Sequence, residues 1–302
     1  MTVLNLSSSL GSHTQIGGTV EHFSWNWQQQ QELNLVYEKL GQGNPVLLLP
    51  AFSTVSSRTE MAGIARLLAD NYEVFALDWL GFGGMKCAPL DYQPPLYHQL
   101  LTDFVVARFS EPITIVAAGH ATGYAVKLAQ THPDVVSKLV LIAPTWCGPL
   151  RVMGVPTWMR QGVKNLVRSP IIGQFLYYLN TTPGFLRFMY SRHVYVDQSK
   201  LTKEFITEKR QITQHRGARY APVAFVTGAI DPVTSRSEFL ELIESVSLPI
   251  LTIIAKQAPP YSLAEMEAMG QVAKVETVRL AGTLGIHEEE YEAVYQAIRS
   301  FI

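Results

Sequence analysis

Residues 21–28 and 32–41 alternate polar and apolar side chains, the period-2 pattern of two strands that each turn one face to a core, and their proximity predicts a hairpin. Four later runs are short and continuously apolar, at residues 46–49, 73–77, 113–118 and 139–143, and each calls for burial on both faces. Between them, residues 58–70, 95–109 and 121–132 carry apolar positions at helical spacing, so strands and helices alternate. That alternation predicts a mostly parallel sheet with helices on both faces. Residues 145–230 break the rhythm into helical pieces, and strands resume at 248–255 and 273–280.

An insertion that follows a strand of a parallel sheet sits at the sheet's carboxyl edge, where open α/β sheets bind ligands. This one contains Trp146, Trp158, Phe175, Tyr177, Tyr178, Phe185, Phe188, Met189, Tyr190 and Tyr195. Most are expected to form the insertion's own core, and a lid so aromatic favours an apolar ligand over a sugar or phosphate. The expected organisation is a loose tail over 1–18, a core over 19–144 and 231–302, and a helical cap over 145–230.

Composition narrows the function classes. The 302 residues are 47% apolar and 16% charged, which excludes a disordered or low-complexity chain. Lys plus Arg number 24 against 25 acidic residues, a net charge of −1, so the total gives no footprint for nucleic acid or an anionic membrane surface. Cys87 and Cys147 are too few for a disulfide framework and lack zinc-site spacing, so neither a metal nor a cofactor is expected. The first eighteen residues lack the basic start and apolar stretch of a secretory signal, and no run is long enough to cross a bilayer. A soluble, cytoplasmic protein is the expectation; a protein partner stays open.

The densest chemistry lies where the run 113–118 enters Gly119-His120-Ala121-Thr122-Gly123 and a helix follows. G-x-S-x-G in that context is a nucleophile elbow, in which small residues flank a strained turn that lifts one side chain above the sheet. Here that position holds Ala121, which has no hydroxyl and forms no acyl-enzyme.

From about residue 21 to the end the chain resembles the α/β-hydrolase superfamily. Pro50-Ala51-Phe52 stands at the oxyanion turn, Asp78-Trp79-Leu80-Gly81-Phe82-Gly83 is similar to an Asp-x-x-Gly-x-Gly segment, Gly119 to Gly123 matches the elbow, and Glu288-Glu289 precedes the terminal helix. The resemblance implies an α/β-hydrolase fold with a helical cap. His193-Val194-Tyr195-Val196-Asp197, Ala143-Pro144-Thr145-Trp146 and residues 228–233 further resemble hydrolase-like proteins of cyanobacteria and plastids, which implies a photosynthetic host and a hydrophobic pigment or lipid-derived ligand.

Carried over position by position, the resemblance leaves the catalytic sites mostly vacant. Ala121 replaces the serine, and Ala255-Lys256-Gln257-Ala258 offers no carboxylate where the acid is common. His287 arrives two or three residues later than the family's base. Asp231 is the candidate acid to orient His287; its other reading is the N-cap of a helix over 233–246, with Pro232 at the first helical position. Backbone N–H groups of Phe52 and Thr122 would form an oxyanion pocket by analogy. Ser53, His120 and Trp146 are further candidates for contact with a ligand, Ser56 and Ser57 are explained as well by turn chemistry, and Cys147 is a remote candidate nucleophile. Three functions remain open: a non-catalytic binder of an apolar or acyl-bearing molecule, a carboxylic-ester hydrolase whose nucleophilic Ser at 121 was replaced by Ala, and serine-free chemistry run by His287.

Overall fold

The computed structural model describes residues 15–28, 31–84 and 89–302. Among them, eight strands form one sheet in the order β1-β2-β4-β3-β5-β6-β7-β8. β1 (Thr19–Trp27), β2 (Gln31–Leu40) and β4 (Tyr72–Leu77) pair antiparallel; β3 (Asn44–Leu49), β4, β5 (Ile113–Ala118), β6 (Val136–Ile142), β7 (Ile250–Ala255) and β8 (Val275–Leu280) pair parallel. Every expected strand is present, and no end moves by more than three residues.

The apolar runs explain the layers. Successive residues of a strand point to opposite faces, so Leu47, Leu49, Ile115, Ala117, Leu139 and Leu141 enter one core, and Val46, Leu48, Val116, Ala118, Val140 and Ile142 enter the other. α2 (Pro94–Arg108), α3 (Ala121–Thr131) and α10 (Arg236–Ser245) cover the first face; α1 (Ala62–Leu68), α11 (Pro260–Gly270) and α13 (Tyr291–Phe301) cover the second. This is the α/β-hydrolase fold.

Behind the β3–α1 turn lies a buried charge cluster. Arg58, fully buried, donates to Glu38 at 3.0 Å and to Asp78 at 2.5 Å. Burial raises the Asp78 carboxyl above its ordinary range against the pull of Arg58. Glu38 also accepts the backbone N–H groups of Gln15, Ile16, Gly17 and Gly18. Of the loose tail expected over 1–18, residues 1–14 lie outside the described residues, while 15–18 are tied to this carboxylate.

Between β6 and β7 the chain forms α4 (Pro149–Val152), α5 (Thr157–Arg168), α6 (Ile172–Asn180), α7 (Pro183–Met189), α8 (Lys203–Ile212) and α9 (Tyr220–Val226). The expectation that the insertion's aromatics pack together holds for Tyr190 and Tyr195, whose rings meet at 5.4 Å beside Phe205. It fails for Trp158, Phe175, Tyr178 and Phe188, all exposed. The segment is fastened to the β8–α12 turn, α12 being Ile286–Glu289. Glu289 accepts the N–H groups of Val196 and Asp197, Thr283 donates to the carbonyl of His193, and the N–H of Gly285 donates to Val194.

Candidate functional site

A cavity of about 430 Å³ opens over the carboxyl ends of β3, β5 and β6, roofed by the helices between β6 and β7. Ala51, Phe52, Ser53, Gly119, His120 and Thr145 line its floor; Val163, Val167, Leu186, Met189, Val223 and Phe225 line its roof. Most of the lining is apolar. Glu60, His120, His287 and Glu288 are its ionisable exceptions, together with the phenols of Tyr177 and Tyr190.

The turn after β5 differs from the sequence expectation by two positions. The left-handed residue is Gly119, with φ +52°, and α3 begins at Ala121. The N–H of Gly119 donates to the carbonyl of Ile142 at 2.9 Å, and its own carbonyl accepts from the N–H of Thr145 at 3.2 Å and the Thr122 hydroxyl at 2.7 Å, so neighbouring segments lock the turn. Gly119, which has no side chain, therefore occupies the apex over the cavity. Ala121 is fully buried in the core and does not line the cavity, because the first turn of α3 carries it down against the sheet. Thr122 is also fully buried, and its N–H is spent on the Gly119 carbonyl at 3.3 Å. The pair of backbone donors at the cavity is then Phe52 and His120, whose N–H groups have no acceptor among the described residues. The Phe52 ring is held below by Trp79 at 4.8 Å, and the Trp79 indole donates to the carbonyl of Pro50.

Asp231 orients His120 rather than His287. Its Oδ1 lies 3.4 Å from His120 Nε2 and accepts the N–H of Gly148 at 2.8 Å, and its Oδ2 accepts from Arg151 at 3.0 Å. The N-cap reading fails as well, since α10 starts four residues beyond Pro232 and Ser235 caps it. His120 Nε2 is 3.2 Å from the carbonyl of Ile230, which only accepts, so Nε2 carries the proton and Nδ1 is left as a buried lone pair without a partner. Burial lowers the His120 pKa, opposed by the neighbouring Asp231, and keeps the ring neutral.

His287 reaches the cavity from α12 and meets a different acid. Its Nε2 lies 3.7 Å from Glu60 Oε2, both residues are buried, and neither ring nitrogen has a hydrogen-bond partner. The Ser56 hydroxyl donates to Glu60 Oε1 at 3.1 Å. Glu288 beside it pairs with Lys209 at 2.5 Å, and burial, reinforced by Glu288, raises the phenols of Tyr190 and Tyr195 far above their ordinary range. Glu60 carries no motif that sequence reasoning singled out. It lies 227 positions from its histidine, and only the fold brings them together.

The other candidates resolve plainly. Ser53 lines the floor, with its hydroxyl accepting from the N–H of Val55 at 3.2 Å. Ser57 bonds to Thr59 in the turn. Trp146 donates to Glu265 at 2.9 Å under the Arg151 guanidinium and does not line the cavity. Cys147 is buried away from it, 3.8 Å from the Tyr261 hydroxyl, and burial pushes its thiol up to about 11, so it is no ready nucleophile. Cys87 lies outside the described residues, and Ala258 packs in the second core without offering an acid. Among the described residues no cluster could hold a metal ion, and no helix is long and apolar enough to cross a membrane.

Comparison with known proteins agrees with this fold. A relative from Metapseudomonas resinovorans, 2-hydroxy-6-oxo-6-(2'-aminophenyl)hexa-2,4-dienoic acid hydrolase, is 26% identical over 232 residues, covering 69% of this chain and 76% of that protein. The Cif epoxide hydrolase from Acinetobacter nosocomialis shares the fold with a TM-score of 0.73 at 14% identity, covering 94% of this chain and 89% of that one. A putative alpha/beta hydrolase from Nostoc sp PCC 7120 does so at 0.66 and 21% identity, covering 93% and 97%. A profile described as the alpha/beta hydrolase family matches residues 46–297, and with most of its length so matched the chain belongs to that family.

Proposed function

We propose that this protein binds an apolar molecule bearing a carbonyl or carboxylate, beneath a helical cap over residues 145–230, without forming an acyl-enzyme. The observation that carries the reading is the glycine at the left-handed apex over a mostly apolar cavity. Backbone N–H groups of Phe52 and His120 supply the polar hold, and the roof supplies the hydrophobic one. The relative's named compound, an aryl-substituted dienoic acid, has this combination of apolar body and carbonyl groups. We further place the chain beside hydrolase-like proteins of cyanobacteria and plastids, a placement that would go with a lipid-derived ligand, and we propose a cytoplasmic location. The vacancy at Gly119 also weighs against a simple Ser-to-Ala replacement at 121.

Titration calorimetry with medium-chain fatty acids and their methyl esters, with product analysis, tests the reading. Binding without ester cleavage, lost in Leu186→Trp where the indole fills the cavity, is the expected result. Ester turnover by the unaltered protein would overturn it.

A second reading is favoured by the unpartnered His287 beside Glu60. In it, His287 removes a proton from the carbon next to a bound carbonyl, the electron pair moves onto the carbonyl oxygen held by Phe52 and His120, and Glu60 balances the imidazolium. Deuterium uptake into a bound ketone, abolished by His287→Ala, would select it.

A further inference from the structure

Two acids, Glu60 and Glu288, line the cavity, and among the described residues no Lys or Arg does. Lys209 reaches Glu288 at 2.5 Å and offsets its charge. Glu60 has no such partner, because Arg58, two residues before it, is shared between Glu38 and Asp78. The Glu60 side chain is buried, and its Oε1 accepts from the Ser56 hydroxyl at 3.1 Å while Oε2 is turned to His287. His287 lines the cavity and Ser56 does not, so Oε2 is the oxygen on the cavity side. His287 is 3% exposed; its Nε2, at 3.7 Å from that oxygen, is beyond hydrogen-bond reach, and Nδ1 has no partner either. A carboxylate without a cation and an imidazole with two idle nitrogens are costly to keep at the wall of an apolar chamber.

We propose that Glu60 and His287 form a subsite for the protonated primary amine of an apolar ligand. An ammonium brings three N–H donors and a positive charge. One donor answers Glu60 Oε2, a second meets the lone pair of a neutral His287 ring, and the charge compensates the carboxylate. A ligand hydroxyl has a single proton to donate and no charge, so it serves only one of the two, and an anionic group at this position would face the like charge of Glu60. Leu186, Met189 and Leu284 line the same chamber and take up the hydrocarbon body. The inference rests on the reading of this cavity as a binding chamber and gives its ligand a second polar group, an amine in addition to the carbonyl held by Phe52 and His120.

Titration calorimetry at neutral pH, where an alkylamine is cationic, tests this with octylamine, 1-octanol and octyltrimethylammonium. Octylamine should bind at least about tenfold tighter than 1-octanol, which lacks the charge, and than octyltrimethylammonium, which lacks the N–H donors. Glu60→Gln, nearly unchanged in shape, should lower octylamine affinity about tenfold or more, with its thermal unfolding recorded alongside. Absence of octylamine binding, equal affinity for 1-octanol or for octyltrimethylammonium, or undiminished octylamine affinity in a folded Glu60→Gln protein would each overturn the proposal, and the first two of these need no variant. Methyl octanoate separates the two readings of the chamber: ester binding without octylamine binding sinks the amine subsite alone, whereas octylamine binding in the expected order without ester binding sinks the carbonyl reading alone.

Discussion

Cysteine placed at position 119 or at 121 separates the two possible apices of the turn after β5. At Gly119 a side chain must accept φ +52°, which costs an L-residue about 1–2 kcal/mol. Its Cβ would stand 3.1 Å from the Ala51 Cβ, so Ala51 must give by a few tenths of an ångström, and 4.0 Å from the Thr145 hydroxyl, an ordinary contact. Gly119→Cys should therefore remain folded, less stable by about 1–2 kcal/mol in urea denaturation, with its thiol in the cavity. Ala121 is completely buried against the core, so a thiol there is reached only through transient opening of the fold. Reaction with methyl methanethiosulfonate, read at each position by peptide mapping, should be at least about a hundredfold faster at 119 than at 121. Peptide mapping keeps Cys87 and Cys147 out of the readout. Equal or faster reaction at 121 would refute the placement of Gly119 over the cavity, and with it the reason given for the missing nucleophile.

Three further outcomes follow from the structure. His98 and His215 are held down to about 4 by burial, and burial lowers His120 as well, so the unfolded chain binds the extra protons; stability should fall as pH drops from about 6.5 towards 4, by roughly 2 kcal/mol for each of the first two after allowing for solvent contact, measured as urea midpoints across that range. A flat profile would contradict it. Arg58→Met removes the cation that Glu38 and Asp78 share and should cost about 3–5 kcal/mol by the same assay, whereas a loss below about 1 kcal/mol would show that the cluster is already neutral. Glu289→Gln weakens the acceptor of the Val196 and Asp197 N–H groups and should raise amide exchange over residues 193–200 while leaving β5 and β6 unchanged; unchanged exchange at 196 and 197 would disprove the tether.

The sheet was legible because its strands are buried on both faces and write themselves as apolar runs, as at residues 46–49 and 113–118. The apex was not legible, because glycines at 119 and 123 satisfy the elbow spacing whichever residue turns left-handed, and only the path of β5 into α3 decides it. The partners of the histidines were misassigned for a related reason. Asp231 lies close in sequence to no histidine, and its choice of His120 over His287 rests on where the end of β5 meets the chain that follows α9. Glu60 reads as an ordinary polar position of a short turn until His287 arrives from the far end of the chain. The absence of any Asp or Glu from residue 145 to 196 escaped a whole-chain charge count, since acids elsewhere offset it.

Residues 193–200 are pinned to the terminal helix region through Glu289, Thr283, Gly285 and Lys200, while Gly148 is pinned by Asp231. A roof nailed down at both margins does not swing up like a hinged door. Passage in and out of the chamber then falls to the panel between the nails, where α5 sits on the body of the protein through the long side chains of Arg160, Lys164 and Arg168, bonded to Thr227, Asp91 and Leu90, which can slacken without unseating the rest.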